Sequence, residues 1–223
     1  ASAALMGPAR QSFSTASKLL RSIGTNRKAV AFDSGVLGIV ALIQPYSNNA
    51  LKRVIKAPRM YFLDTGLFAH RTRWTSAETL ERGAMDGAFF ETWVVSEIYK
   101  SYLNQGKIQP PLYFYRDSNK KEIDLIIYQD GVVSPIEIKK ILAKDAAKNF
   151  SVLNPIEKEP DADSISAGVA HLKTKIGTGA VICMPPDMIP VDQKNWYVPV
   201  WLFEQTQIEF HKTAAAILRQ QVL

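Results

Sequence analysis

The sequence lacks several features that would place it in a familiar class of protein. It has one cysteine, Cys183, in 223 residues, which excludes an internal disulfide bond and is typical of a reducing cytoplasm. No apolar run approaches the ~18–20 residues needed to span a bilayer, and the first residues do not resemble a signal peptide. We therefore expect a cytoplasmic globular protein without a membrane anchor.

Motifs for several common chemistries are also missing. No G-x-x-x-x-G-K-[ST] sequence occurs, so we expect no nucleotide binding through a P-loop and no ATPase activity in this chain. No serine lies in a G-x-S-x-G elbow. The three histidines, His70, His171 and His211, are too far apart to give a recognisable zinc-ligand spacing. Net charge is +6, which permits a polyanionic partner without requiring one.

The segment KEIDLIIYQDGVVSPIEIKK, residues 121–140, predicts a β-hairpin. Asp130-Gly131 is a strong two-residue turn signal between two runs of alternating apolar residues. With that turn, Asp124 lies directly across from Glu137, with Cβ atoms about 4.5–5.5 Å apart. Lys139 points from the same face because it follows Glu137 by two residues. Two opposed carboxylates beside a lysine form a candidate site for a divalent cation.

The same hairpin has a second interpretation, a solvated face on which each carboxylate pairs with a lysine. The lysines available for this are Lys120, Lys121, Lys139 and Lys140. Pro135 supports the register itself, since it faces Ile126 at a non-hydrogen-bonded position where a proline removes no hairpin bond. From the hairpin alone, both interpretations stay open.

A long helix is predicted between Thr75 and Asn104. Its apolar stripe includes Val94, Val95, Ile98 and Tyr102. Glu91 projects along this stripe, where a carboxylate is costly unless it is paired or bound to a cation. Two alternatives remain: Glu91 could be satisfied by an arginine or lysine, and Glu97 is a competing candidate for the acidic position.

Residues 1–60 are predicted to form a small winged-helix-like segment. Two helices precede a strand at Gly38–Ile43, with Val54–Lys56 as its return strand. Arg27 and Lys28 would open the recognition helix and contact nucleic acid.

Residues 61–223 are predicted to form an α/β domain. After the long helix come three strands in meander order, then a helix, a further strand and a last apolar strand. These are Leu112–Arg116, Glu122–Tyr128, Val132–Lys139, the helix Lys140–Leu153, Gly179–Met184 and Val198–Phe203. The order helix, three-strand meander, helix, strand is typical of an α/β sandwich with one parallel crossover.

Five strings carry a resemblance to a known family. They are PYSNNALKRVIKAPRMYFLDTGL, FFETWVVSEIYK, YFYRD, EIDLII and PIEIK. Together they closely resemble the uncharacterised C-terminal domain of bacterial and archaeal AAA-superfamily ATPases, over roughly residues 13–185. The resemblance implies a winged-helix segment followed by a PD-(D/E)xK, restriction-endonuclease-like core. In that family the ATPase part precedes this domain, and its P-loop is missing from this chain.

The resemblance also implies a site and a reaction. The matching catalytic residues are Glu91 on the helix, Asp124 on the second strand, and Glu137 with Lys139 on the third. Asp124, Glu137 and Glu91 would hold Mg²⁺ for DNA phosphodiester hydrolysis. Residues expected to flank the DNA backbone are Lys140, Lys144 and Lys148.

Two other classes of function compete with the nuclease. The same fold could serve as a non-catalytic DNA- or protein-binding module of the same family. It could also be a homodimerisation or antitoxin-like interaction domain, with Trp74, Trp196 and Trp201 either as surface anchors or as core residues.

Overall fold

A computed structural model describes residues 38–47, 57–74, 76–117, 119–154 and 174–202. These residues fall into two compact units. The first holds the described residues up to Ile43 and those of Arg59–Lys100, and the second holds the described residues of Gln44–Pro58 and those from Ser101 onward. The fold is mixed α/β with a large sheet, as the sequence predicts. Within the described ranges, no helix is both long and apolar enough to cross a membrane.

The first unit combines a strand pair with three helices. Its elements are the start of β1 (Val40–Pro45), β2 (Arg59–Phe62), α1 (Thr65–Arg71), α2 (Ala77–Glu81) and most of α3 (Asp86–Asn104). Strands β1 and β2 are antiparallel, with Val40 opposite Phe62. The predicted return strand Val54–Lys56 and the two predicted N-terminal helices lie outside the described residues.

Aromatic rings form the centre of the first unit. Phe68 of α1 stacks on Phe62 at a centroid distance of 5.0 Å and on Phe89 of α3 at 4.4 Å. Val40 and Met60 complete this buried cluster. The two strands and the helices α1 and α3 therefore share one core.

The predicted single helix between Thr75 and Asn104 is wrong in its continuity. Ser76 caps α2 by accepting a hydrogen bond from the Thr79 backbone, and the chain then breaks before α3 begins at Asp86. Gly83 lies in this break against the indole of Trp74. A Cβ atom on Gly83 would come within 2.5 Å of Trp74 Cη2, so the close approach requires a glycine.

The second unit is built on one sheet. Its strands are the end of β1, β3 (Leu112–Arg116), β4 (Glu122–Gln129), β5 (Val132–Ile138), β6 (Lys175–Ile176), β7 (Gly179–Cys183), β8 (Ile189–Pro190) and β9 (Asn195–Pro199). The order from β3 is β3-β4-β5-β7-β9-β8, with β6 also beside β5. The predicted meander of β3, β4 and β5 is confirmed, and so is the parallel crossover from β5 to β7.

Two predicted elements differ from the structure. No part of the segment Lys140–Leu153 is an α-helix. A 3₁₀ helix, η1, covers Ala146–Leu153. Ser151 Oγ donates back to the Lys148 carbonyl, a local bond that competes with α-helical pairing. The last apolar strand is β9 at Asn195–Pro199, earlier than predicted, because it pairs residue for residue with β7.

The core of the second unit lies between η1 and the sheet. The hairpin contributes Ile123, Ile126 and Val133, while η1 contributes Phe150 and Leu153. Cys183 is fully buried in the same core, and burial raises the pKa of its thiol to about 11. This cysteine is therefore a core residue.

Candidate functional site

The β4–β5 hairpin places two carboxylates opposite each other. Asp130 and Gly131 both have positive φ, 53° and 76°, the conformation of the tight turn that the sequence predicts. Leu125 pairs with Ile136 in the observed register. The next pair outward is therefore Asp124 with Glu137, so the predicted register is confirmed.

Pro135 shapes the other side of β5. It faces Ile126 on β4, as predicted. On the opposite side, β6 pairs with Val132 and Val133, and β7 pairs from Ile136 onward. The parallel pairing is interrupted at the proline because it has no N–H to donate. At Glu137 the strand again has neighbours on both sides, with β4 on one side and β7 on the other.

Backbone contacts hold Asp124 in place. The Ile138 N–H donates to Asp124 Oδ2 at 2.9 Å. The side chain of Asp124 is 13% exposed and that of Glu137 is 4% exposed. Both acids are therefore largely removed from water on a rigid part of the sheet.

Lys139 contacts both acids. Its Nζ lies 2.7 Å from Glu137 Oε1 and 3.5 Å from Asp124 Oδ2. The Lys139 backbone N–H donates to the Ile182 carbonyl on β7 at 2.9 Å, which fixes where the side chain starts. The face is not the solvated one of the second interpretation, because both acids are largely buried and share one lysine. The cation site of the first interpretation stays a prediction.

Glu137 is the electrostatically unusual member of the site. Burial raises the pKa of its carboxyl from 4.5 to about 7, and the Asp124 charge acts in the same direction. Lys139 and Asn149 lower it, and the Asn149 amide donates to Glu137 Oε1 at 3.4 Å. Glu137 Oε2 is buried and has no hydrogen-bond partner among the described residues. An orphaned buried carboxylate oxygen is costly unless it takes up a proton or a cation.

The donor set fits a hard divalent cation. Carboxylate oxygens are the ligands that Mg²⁺ prefers, and Glu137 Oε2 has an unused acceptor. The described ranges hold no group of three or more His, Cys, Asp and Glu side chains placed to bind a metal. The hairpin therefore offers two protein carboxylates, and water and substrate would fill the other coordination positions of the ion.

Glu91 lies on α3 in the first unit, buried as predicted. Its Oε1 accepts a hydrogen bond from Tyr61 Oη at 2.7 Å. The competing candidate, Glu97, pairs with Lys100 at 2.6 Å and is part-exposed. The structure thus favours Glu91 as the buried acid of this helix, and its role in the site stays a prediction.

The predicted nucleic-acid contacts are solvent-accessible where the structure describes them. Lys144 and Lys148 are exposed, and Lys140 is half-buried. Lys148 pairs with Asp145 at 2.5 Å. Arg27 and Lys28 lie outside the described residues.

The three tryptophans proposed as surface anchors are all partly buried. Trp74 packs against the aromatic cluster of the first unit. Trp201 donates from Nε1 to the Pro185 carbonyl at 3.3 Å. Homodimerisation through these side chains stays a prediction.

Sequence reasoning missed two partners of the acidic residues, Asn149 and Tyr61. Asn149 reaches Glu137 from η1, and Tyr61 reaches Glu91 from β2. Neither contact has a sequence signature because each depends on how distant elements pack. The sequence clue to the Asn149–Glu137 contact was an asparagine between two buried apolar positions of η1.

The second unit is thus a mixed α/β domain whose central hairpin gathers an aspartate, a glutamate and a lysine. A family profile described as "Domain of unknown function (DUF4143)" matches residues 86–203. This is more than half of the chain, and the chain belongs to that family.

Two mycobacterial proteins are similar to part of the chain. They are the uncharacterised proteins Mb2031c of Mycobacterium bovis and Rv2008c of Mycobacterium tuberculosis. Each is 29% identical over 103 residues, which cover 46% of this chain and 22% of the relative. The matched region therefore spans about a fifth of the length of these relatives. No solved structure matches the chain.

Proposed function

We propose that this chain carries a Mg²⁺-dependent nuclease site of the PD-(D/E)xK type, which hydrolyses DNA phosphodiester bonds. One observation carries the proposal. Asp124 and Glu137 face each other across a hairpin, Lys139 lies within 3.5 Å of both, and one buried oxygen of Glu137 has no hydrogen-bond partner in the described part of the chain. This arrangement supplies the hard oxygen ligands and the adjacent cation that phosphodiester hydrolysis needs.

Asp124 and Glu137 would hold the ion, together with a backbone carbonyl near Ile138. Bound there, Mg²⁺ would polarise the scissile phosphate and activate a water molecule. The Ile138 N–H already orients the Asp124 carboxylate, and Asn149 orients Glu137. Preorganised ligands avoid the cost of rearrangement when the substrate arrives.

Lys139 would neutralise the charge that develops on the phosphoryl oxygens. Its backbone is fixed to β7, while its side chain is 38% exposed. A lysine ammonium is a compact charge on a flexible stem, so it can turn from the carboxylates to a bound phosphate. Lys140, Lys144 and Lys148 follow along the chain and would contact the DNA backbone, a contribution that weakens with salt.

The domain serves, in this proposal, as the C-terminal accessory part of an AAA-type ATPase in the cytoplasm. The residue strings that resemble that family support this context. The small share of the relatives that the chain covers leaves room for further domains in them.

A cleavage assay tests the proposed reaction. With Mg²⁺ and supercoiled plasmid, the wild-type chain should nick or linearise DNA, and Asp124→Ala and Lys139→Ala should each reduce the rate about 100-fold or more. Asp187→Ala is a matched control, because Asp187 is an exposed acid on the same unit. Equal rates for all four proteins, or no cleavage by any of them, would refute the proposal.

A non-catalytic DNA-binding module is the second candidate, and one observation favours it. Lys139 contacts both acids and offsets part of their charge, and with a pKa near 7 Glu137 can take up a proton. DNA binding measured by fluorescence anisotropy in EDTA distinguishes the two. Tight, salt-sensitive binding without any cleavage in Mg²⁺ would favour the binding module.

A further inference from the structure

The ammonium of Lys139 lies between Glu137 Oε1 and Asp124 Oδ2, where a cation bridging those two oxygens would lie. Its Nζ is 2.7 Å from Glu137 Oε1 and 3.5 Å from Asp124 Oδ2. These two side chains come from opposite strands of the hairpin, so the space between them is narrow. Lys139 fills it with a single positive charge.

A divalent ion and this ammonium cannot share that space. Mg²⁺ needs oxygen ligands at about 2.0–2.1 Å, which is closer than the lysine contacts. The acids are 4% and 13% exposed, so little water is present to screen the repulsion between the two cations. A metal ion held by Glu137 Oε1 and Asp124 Oδ2 therefore requires the ammonium to leave.

The Lys139 side chain can move away from the two carboxylates while each carboxylate keeps another hydrogen bond. Asp124 remains held by the Ile138 N–H at 2.9 Å, and Glu137 by Asn149 at 3.4 Å. The Lys139 backbone is tied to Ile182, yet its side chain is 38% exposed and has four methylenes with which to swing out.

We infer that Lys139 is a built-in counter-ion that competes with the divalent metal for Asp124 and Glu137, and that metal loading releases its amine. This rests on the metal site of the proposed function and adds a regulatory property to it. The lysine holds the two acids together in the absence of metal and weakens metal binding. Its amine becomes available to a phosphate only when the metal is in place.

Isothermal titration with Mg²⁺, on the whole chain at fixed pH, tests the competition. Lys139→Met keeps the length of the side chain and removes the charge, so it should bind Mg²⁺ about fivefold or more tightly than wild type. Lys139→Arg keeps the charge and should not show the gain. Lys100→Met is the matched control: Lys100 has the same 38% side-chain exposure and pairs with Glu97 at 2.6 Å.

The outcomes separate this inference from the proposed function. Tighter binding by Lys139→Met alone supports the inference. Equal or weaker binding overturns it and leaves the metal site intact. An absence of Mg²⁺ binding by wild type and Lys139→Met alike overturns both.

A second measurement uses only the wild-type protein, so it does not depend on how a variant folds. Acetylation of each lysine by acetic anhydride is followed by mass spectrometry, with and without saturating Mg²⁺. The ion should increase the labelling rate at Lys139 several-fold and leave Lys100 unchanged, because only Lys139 loses its carboxylate partners. Unchanged labelling of Lys139 in the metal-saturated protein would overturn the inference.

Discussion

Replacing Glu137 with glutamine should make the metal-free protein less sensitive to pH. The folded-state pKa of Glu137 is about 7, raised from 4.5 by burial and by Asp124. Because the folded pKa is raised, the folded state binds the proton more tightly than the unfolded state. This stabilisation is fully present below about pH 4.5 and is lost as the pH rises through 7.

The size of the effect follows from the shift. A pKa difference of roughly 2.5 corresponds to about 3 kcal/mol at 1.36 kcal/mol per unit. Glutamine stays neutral at every pH and fills nearly the same volume. The unfolding free energy of Glu137→Gln relative to wild type should therefore increase by about 3 kcal/mol between pH 4.5 and pH 8.5.

Urea unfolding in EDTA across that pH range provides the assay. Glu97→Gln makes the same substitution at a part-exposed carboxyl paired with Lys100 and is the matched control. A difference between Glu137→Gln and wild type that does not change with pH would refute the reasoning about this buried carboxyl.

Two further predictions concern packing and a buried hydrogen bond. Gly83→Ala should destabilise the first unit by about 1–3 kcal/mol in urea unfolding, because the added Cβ would meet Trp74 at 2.5 Å. Gly87→Ala is the control: a Cβ there meets nothing within 4 Å, so this substitution should be neutral or slightly stabilising. Equal midpoints for the two variants would contradict this. Tyr61→Phe should cost about 1–3 kcal/mol by the same assay, since it removes one donor to the buried Glu91. A change below about 0.5 kcal/mol would show that this bond contributes little.

The hairpin could be predicted from sequence because its determinants are local. Asp130-Gly131 fixes the turn, and alternation on both sides fixes the register, so the sequence alone predicts that Asp124 and Glu137 face each other. Lys139 followed from the two-residue period of a strand.

Other features depend on contacts between distant elements and could not be read locally. The extent of β9 is set by its parallel partner β7. The break before α3 places Gly83 against the Trp74 ring, a contact between residues that local sequence does not show. Apolar spacing after Lys140 predicted an α-helix, whereas the structure has the 3₁₀ helix η1 from Ala146.

The same limit applies to the environment of the site. Charge and spacing identified the acids but not the depth of their burial, and burial is the largest cause of the raised pKa of Glu137. Asn149, which orients this carboxylate, comes from a 3₁₀ helix that the sequence pattern did not predict.

The most direct test of the metal site is a crystal structure with Mn²⁺ in place of Mg²⁺, examined by anomalous diffraction. We expect an anomalous peak within coordination distance of one oxygen each of Asp124 and Glu137, with the Lys139 ammonium moved away from both. Saturating Mn²⁺ without a peak there, and with Lys139 still bridging the two acids, would contradict it.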